Sequence, residues 1–100
     1  MNIYPAEIEA IVHQHPAVLD VAVFGIPDDE WGESVYCIVQ PKTPGGLDLD
    51  DLESFVSARV AGYKRPRGYE LRDELPRTDS GKLLKRMLRD EFWQDRDTRV

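Results

Sequence analysis

The sequence predicts a small α+β domain in which three helices pack on a small, mainly antiparallel sheet. Two short segments, 18–26 and 35–40, are rich in β-branched and other apolar residues, and the turn between them contains Pro, Asp and Gly. This pattern is typical of a β-hairpin. Three further segments carry apolar residues at helical spacing, one before the hairpin and two after it. One hundred residues, 41% of them hydrophobic, suffice for a single core.

The first helix is predicted over residues 5–15. Pro5 suits the first helical position, and Pro16 ends the helix. Its apolar stripe consists of Ile8, Ile11, Val12 and His15. The strand at 18–26 alternates only in part, whereas the strand at 35–40 is almost continuously apolar and is predicted to be covered on both faces.

The second helix is predicted over residues 49–60, after a loop rich in Pro and Gly. Asp48 and Asp51 have the spacing of a capping box, in which each side chain accepts from the backbone N–H of the other residue. The buried stripe of this helix consists of Leu52, Phe55, Val56 and Val60. A break at 61–66 and a short strand at 67–71 follow.

The third helix is predicted from about Leu84 to Trp93. Its inner face consists of Leu84, Met87, Leu88 and Phe92. Residues 94–100 have mixed charge and are predicted to form a loose, flexible tail, so the folded domain is expected to span residues 1–93.

Composition argues against several classes of function. The formal net charge of −6 argues against general nucleic-acid binding. No apolar run is long enough to cross a membrane, and residues 1–5 lack the basic and apolar regions of a signal peptide. The one cysteine, Cys37, lies in an apolar run and is predicted to be a buried thiol, which fits a reducing, cytoplasmic location.

Charge is distributed unevenly along the chain. Residues 1–58 contain one basic and eleven acidic residues, whereas residues 59–89 contain ten basic and four acidic residues. A basic segment on an acidic protein indicates a local anionic partner, such as a phosphorylated small molecule. A solvated helix face together with loop charges explains the same pattern.

The loop at residues 76–82 is the main candidate for chemistry. Its Thr, Asp and Ser favour a turn and Gly81 permits positive φ, so Lys82 is predicted at the tip of an exposed bend. A point charge on a long flexible stem can reach a distant anion. The loop is not a G-x-x-x-x-G-K-[ST] phosphate loop, because Pro76 stands at the first position and Leu83 follows the lysine. An ordinary surface lysine is the alternative.

A second cationic loop is predicted at Tyr63–Arg67, in which Gly62 and Pro66 flank Tyr63, Lys64 and Arg65. Such a loop suits the phosphates of a cofactor. It equally suits neutralisation of the C-terminus of the second helix.

A metal site is not expected in this chain. His13 and His15 point about 200° apart around a helix, and with Cys37 they are fewer ligands than a zinc site needs. No serine has a sequence context that marks an activated nucleophile.

Four motifs stand in order along the chain. They are the segment 2–9, the G-x-P-D…G-E turn with Gly25, Trp31 and Gly32, the Y-K-x-P loop with Tyr63, Lys64 and Arg65, and the P-x-x-x-x-G-K loop with Gly81 and Lys82. Together they resemble the small C-terminal domain of the adenylate-forming enzymes, in which the first motif lies next to the hinge. These enzymes include acyl-CoA synthetases, the adenylation domains of nonribosomal peptide synthetases and firefly-type luciferases. The resemblance extends from Asn2 to about Trp93.

The resemblance implies an ATP-dependent ligase that joins a carboxylate to AMP, releases pyrophosphate and then transfers the acyl group to a thiol, usually coenzyme A. Lys82 would be the lysine that enters the active site for adenylation, where a cation lets two anions approach. The domain would rotate between the two half-reactions. The face with Asn2 and the Gly25–Glu33 turn would then line the thiol tunnel, and Lys64 would lie near the phosphates of coenzyme A.

The resemblance also implies a partner, the large N-terminal domain that binds ATP, Mg²⁺ and most of the carboxylic acid substrate. That domain, the hinge and the upstream glycine pair of the family are not in this sequence, so the chain alone is expected to be inactive. Lys64 after Tyr63 favours a CoA ligase over an adenylation domain that serves a carrier protein. A non-catalytic binding or regulatory module is the other alternative. Acetylation of Lys82, which would remove its charge, is a further hypothesis.

Overall fold

A computed structural model describes the backbone of residues 4–98 and the side chains of residues 4–94. The elements are the helices α1 (Pro5–His13), α2 (Leu49–Ser57) and α3 (Lys85–Thr98), the strands β1 (Val18–Asp28), β2 (Gly32–Pro41) and β3 (Gly68–Leu71), and a 3-10 helix at Gly62–Lys64. Helix, hairpin, helix, strand and helix follow one another in the predicted order. The α+β class is therefore confirmed.

The three strands form one sheet in the order β1-β2-β3. β1 and β2 are antiparallel over their whole length, whereas β2 and β3 run parallel, with Tyr36 opposite Gly68 and Val39 opposite Leu71. Parallel neighbours need a long crossover, and α2 supplies it. The long hairpin makes the sheet mainly antiparallel, as predicted.

A bulge in β1 explains the imperfect alternation of its sequence. The register shifts between Val18 and Asp20, so Leu19 is an extra residue, and its side chain is half exposed. An extra residue moves the following side chains to the other face of a strand. Val18 and Val21 consequently pack in the same core cluster, and Asp20 lies on the opposite face with Ala22.

Both faces of the sheet are covered, as predicted for β2. On one face, α1 and α2 pack over Cys37 through Ile8, Val12, Leu52 and Val56, all of which are fully buried. On the other face, α3 and the segment before it pack on the hairpin. The buried residues of this second cluster are Ala22, Phe24, Ile38, Leu75 and Leu88.

Two predictions about the third helix are wrong. α3 continues to Thr98 instead of giving way to a loose tail after Trp93, because no Pro or Gly interrupts the segment. Residues 99–100 of the predicted tail lie outside the described residues. Met87 was placed on the inner face but is 56% exposed. Leu88 is the centre of that face, and successive helical residues diverge by about 100°.

Only half of the predicted capping box of α2 is formed. Asp48 Oδ1 accepts from the N–H groups of Asp50 and Asp51 at 2.8 and 3.3 Å. The carboxylate of Asp51 instead lies 2.8 Å from Nε2 of His15, which is buried. Because Nδ1 of this ring accepts from the N–H of Ala17 at 3.1 Å, Nε2 carries the proton and donates it to Asp51.

Side chains from both faces of the sheet cover the outer edge of β1. Glu9 on α1 accepts a hydrogen bond from the outward N–H of Val23 at 2.9 Å. The ammonium of Lys85, the first residue of α3, lies 2.6 Å from the same carboxylate oxygen. The edge donor of Val23 is therefore satisfied, and α1 and α3 are joined across the edge.

Candidate functional site

The loop that carries Lys82 is closed by its own backbone. Thr78 N–H donates to the carbonyl of Lys82 at 2.8 Å, and Gly81 N–H donates to the carbonyl of Thr78 at 2.9 Å. Thr78 Oγ1 accepts from Lys82 N–H at 3.0 Å. Gly81 has φ +92°, and Arg77 and Leu83 form an antiparallel bridge at the base. The sequence thus folds locally into a tight loop that needs glycine before the lysine.

The side chain of Lys82 is exposed at the tip of this loop, as predicted. Among the side chains of residues 4–94, no carboxylate pairs with its ammonium. Lys64 and Lys85, by contrast, are paired with glutamates of α1. The position of Lys82 is confirmed, whereas its chemical role stays a prediction.

A shallow pocket of about 170 Å³ lies between the β1–β2 turn and the 3-10 helix. Its lining residues are Trp31, Val35, Gly62, Tyr63, Arg65 and Arg67. The structure therefore brings together two of the sequence motifs, the turn with Trp31 and the loop with Tyr63. Arg67 ends the predicted cationic loop at Tyr63–Arg67 but was not among the residues predicted to bind a cofactor.

Aromatic and cationic groups share the surface of this pocket. Trp31 is 48% and Tyr63 is 74% exposed, and the guanidinium of Arg67 lies 5.8 Å from the centroid of the Trp31 ring. Asp28 fixes the turn by accepting from the N–H groups of Glu30 and Trp31, each at 2.9 Å. The hydrogen bond from the Trp31 N–H is the main reason that the pKa of Asp28 lies below its usual range. The pocket thus combines flat apolar surfaces with positive charge.

Lys64 links this end of the domain to the start of α1. Its Nζ lies 3.2 Å from Glu7 Oε2 and 4.7 Å from the centroid of the Tyr4 ring. The hydrogen bond to Glu7 raises the pKa of Lys64. Asn2, which was also predicted for this face, lies outside the described residues.

Arg65 neutralises the C-terminal end of α2. Its Nε donates to the carbonyl of Val60 at 2.9 Å, and its Nη2 donates to the carbonyl of Ser57 at 2.6 Å. The structural alternative for the cationic loop is therefore confirmed for this residue. A role of Arg65 in cofactor binding stays a prediction, and Arg65 is one of the residues that line the pocket.

The two predicted glycines of the G-x-P-D…G-E turn have different environments. Gly32 has φ +77° and begins β2 at the turn. Gly25 is buried, does not line the pocket, and has the Glu33 side chain packed where a Cβ would lie. Its carbonyl accepts from Trp93 Nε1 at 2.7 Å. Close packing is thus the visible requirement for glycine at position 25.

The Lys82 loop and the pocket lie at opposite ends of the hairpin. Arg77, at the base of the loop, contacts Asp20 near the start of β1. The pocket begins at Trp31, just beyond the end of β1 at Asp28. The strand from Asp20 to Asp28 spans about 26 Å at about 3.3 Å per residue. One small substrate site cannot include both.

In the part of the chain that the structure describes, no group of three or more His, Cys, Asp or Glu side chains is arranged to hold a metal ion. Cys37 is fully buried, and burial raises the pKa of its thiol to about 12. His13 is exposed and lies 3.5 Å from a carboxylate oxygen of Asp20.

Over the described residues, none of the helices has both the length and the apolar character that a membrane crossing requires.

Comparison with known proteins identifies a family and several relatives. The sequence profile of the AMP-binding enzyme C-terminal domain matches residues 7–82. The chain is 42% identical over 99 residues to a fatty acid–[acyl-carrier-protein] ligase, ScoC, of Streptomyces coeruleorubidus, and 42% identical over 90 residues to a long-chain-fatty-acid–CoA ligase of Bacillus subtilis. A fatty acyl CoA synthetase of Mycobacterium tuberculosis has a similar structure over 95% of the chain, with a TM-score of 0.82 and 35% identity.

The match covers nearly all of this chain and a small part of each relative. The Streptomyces ligase matches 99% of this chain, but the match is only 19% of that ligase. The Bacillus ligase matches 90% of this chain, and the match is 16% of that ligase. This chain covers 19% of the Mycobacterium structure. The matched residues include the Y-K-x-P loop and end at Lys82. The order of motifs, the α+β architecture and these matches agree that the chain belongs to the family of AMP-binding enzyme C-terminal domains.

Proposed function

We propose that this chain is the mobile C-terminal lid of an ATP-dependent, AMP-forming ligase that joins a carboxylic acid to a thiol. Family membership supports the reaction class, because the relatives named above are acid–thiol ligases. The observation that carries the proposal is the exposed ammonium of Lys82 on a closed loop, without a carboxylate partner among the described side chains. A large N-terminal domain would complete the enzyme.

In the first half-reaction, an oxygen of the substrate carboxylate attacks the α-phosphorus of ATP. The new O–P bond forms as the bond to pyrophosphate breaks, and pyrophosphate leaves with the electron pair. Both reacting groups are anionic, so they repel each other until a cation lies beside them. The Lys82 ammonium would supply that cation, and a preorganised group of this kind contributes about 10²–10³ in rate.

The Mg²⁺ of the proposed reaction would bind to the N-terminal domain. The described residues of this chain offer no cluster of ligands for a metal ion. The magnesium would accompany ATP on the other domain.

In the second half-reaction, the thiol gives its proton to solvent and its sulfur attacks the acyl carbon. The new C–S bond forms as the C–O bond breaks, and AMP leaves with the electron pair. The pocket at the other end of the hairpin suits a thiol cofactor that carries phosphates and an adenine ring, such as coenzyme A. Trp31 and Tyr63 offer surfaces for stacking, while Arg67 and Lys64 offer positive charge. Because this pocket and Lys82 lie at opposite ends of the hairpin, separated by a strand of about 26 Å, the domain would have to rotate between the two steps.

The test uses a fusion of this chain to the large domain of the Bacillus subtilis relative, in place of that enzyme's own C-terminal residues. ATP–pyrophosphate exchange measures adenylation, and thioester formation from preformed acyl-AMP measures the second step. Lys82→Ala should lower exchange about 10²–10³-fold and change thioester formation by less than about threefold. Lys42→Ala is the matched control, because Lys42 is exposed and follows β2 at the same end of the sheet. Parental exchange activity in Lys82→Ala would refute the assigned role.

A carrier protein is the second candidate for the thiol, and the Streptomyces relative favours it, since that protein is a fatty acid–[acyl-carrier-protein] ligase. The same fusion can be offered free coenzyme A or a carrier protein with its pantetheine arm. Faster transfer of the acyl group to coenzyme A supports a CoA ligase. Transfer to the carrier protein alone supports a carrier-protein ligase and contradicts a CoA ligase.

We also propose that the protein is cytoplasmic, because the reaction consumes ATP. Cell fractionation tests this location.

A further inference from the structure

The side chain of Arg77 joins the Lys82 loop to the sheet. Its Nη1 donates to Asp20 Oδ2 at 2.9 Å and to the carbonyl of Gly81 at 3.2 Å. Its Nη2 donates to Gln40 Oε1 at 2.6 Å. One guanidinium therefore binds two neighbouring strands and the residue immediately before Lys82.

The hairpin register creates the docking place for this guanidinium. Asp20 and Gln40 are directly opposite each other in β1 and β2. The bulge at Leu19 turns Asp20 to the face that α3 covers, and Gln40 points to that face because it lies two residues from Ile38. Gln40 is itself fixed by donating to the carbonyl of Asp73 at 2.8 Å.

Burial strengthens the contact between Arg77 and Asp20. The side chains of Arg77 and Asp20 are only 29% and 22% exposed, so water screens this ion pair less than a fully exposed one. The planar fork of arginine reaches all three acceptors from two nitrogens, whereas a lysine would have to reach them from one.

We propose that Arg77 is a positioning residue that sets the direction in which the loop presents Lys82. The hydrogen bonds of Thr78 and Gly81 lie within the loop and fix its shape. The Arg77 side chain fixes the carbonyl of Gly81 relative to the sheet. The catalytic consequence rests on the proposed role of Lys82, whereas the structural consequence does not.

The structural consequence can be measured on the 100-residue chain by ¹⁵N relaxation. In Arg77→Ala and Arg77→Lys, the order parameters of the Gly81 and Lys82 amides should fall from about 0.85 towards about 0.6, while those of β1 and β2 stay unchanged. Arg86→Ala is the control, because Arg86 is an exposed arginine on α3. Unchanged order parameters at Gly81 and Lys82 in both Arg77 variants would overturn the proposal.

The catalytic consequence is measured in the fusion enzyme. Arg77→Ala and Arg77→Lys should lower kcat for ATP–pyrophosphate exchange by about tenfold to a hundredfold, because small misplacements of a catalytic group are costly. KM for ATP and the rate of thioester formation from acyl-AMP should change by less than about threefold. In a Lys82→Ala background, Arg77→Ala should cause no further loss, since Arg77 acts through Lys82.

The two proposals fail in different ways. Full activity of Lys82→Ala refutes the proposed function but leaves the relaxation result intact. The second outcome is a large loss of exchange activity in Lys82→Ala and a further loss of equal size to the single-variant effect when Arg77→Ala is added. This outcome supports the proposed function and refutes the positioning role of Arg77.

Discussion

Cys37 allows a direct test of the core, because its thiol should lose its proton only when the domain unfolds. Its side chain is fully buried, and burial, reinforced by the charge of Glu9, raises the pKa of the thiol from 9.0 to about 12. Between these values the unfolded chain releases a proton that the folded chain keeps. The free energy of unfolding must therefore fall as the pH rises above about 9.

The size of the loss follows from the displacement of the pKa. A shift of one unit corresponds to about 1.4 kcal/mol, so Cys37 alone should lower the free energy of unfolding by about 2 kcal/mol between about pH 8 and about pH 10.5. Burial also raises the pKa of Tyr36 to about 12, with a contribution from its hydrogen bond to Glu70, and it raises the pKa of Tyr69. Both tyrosines add to the loss above about pH 10.

Urea unfolding followed by far-ultraviolet circular dichroism, under reducing conditions and at several pH values in this range, measures the effect. Cys37→Ala is the matched variant. It should be less stable at about pH 8, because it leaves a small cavity, but its stability should fall less steeply with pH. Equal pH dependence in the parent and in Cys37→Ala would refute the reasoning, since the thiol would then titrate alike in the folded and unfolded states.

Two further predictions concern packing, and urea unfolding measures both. Leu88→Ala should lower the free energy of unfolding by about 2–5 kcal/mol, because Leu88 is fully buried, whereas Met87→Ala on the same helix should change it by less than about 0.5 kcal/mol. A similar loss in both would contradict the orientation of α3. Gly25→Ala should cost less than about 1 kcal/mol, because the new Cβ would overlap only the far end of the flexible Glu33 side chain, which can turn away, and a second change, Glu33→Ala, should remove that cost. Gly62→Ala, where nothing crowds the Cβ, is the control, and an equal cost there would show that the overlap with Glu33 is not responsible.

The local parts of the fold could be predicted from the sequence. Helical periodicity and turn residues act over a few positions, so the order of elements and the N-cap at Asp48 were predicted correctly. Features that depend on distant pairing could not be predicted. The parallel pairing of Val39 with Leu71 and the preference of Asp51 for His15 both arise only when α2 packs on the sheet.

In the candidate site too, local features could be predicted from the sequence and long-range contacts could not. The exposure of Lys82 follows from turn chemistry within its own loop, and the sequence predicted it. The sequence also singled out Trp31 and Tyr63, but their common pocket forms only in the folded domain. The partners of Arg77 were missed, because they lie on β1 and β2, far from it in sequence, and become neighbours through the bulged register of the hairpin.

The covered edge of β1 has a consequence for how this domain meets a neighbouring one. Because Glu9 already occupies the outward N–H of Val23 and Lys85 lies over the same carboxylate, another strand cannot add to β1 without displacing both side chains. A neighbouring domain that instead contacts the loops at either end of the hairpin forms no backbone hydrogen bonds with β1. Such a contact can be released and formed again at a new angle while every strand pairing of the domain stays intact.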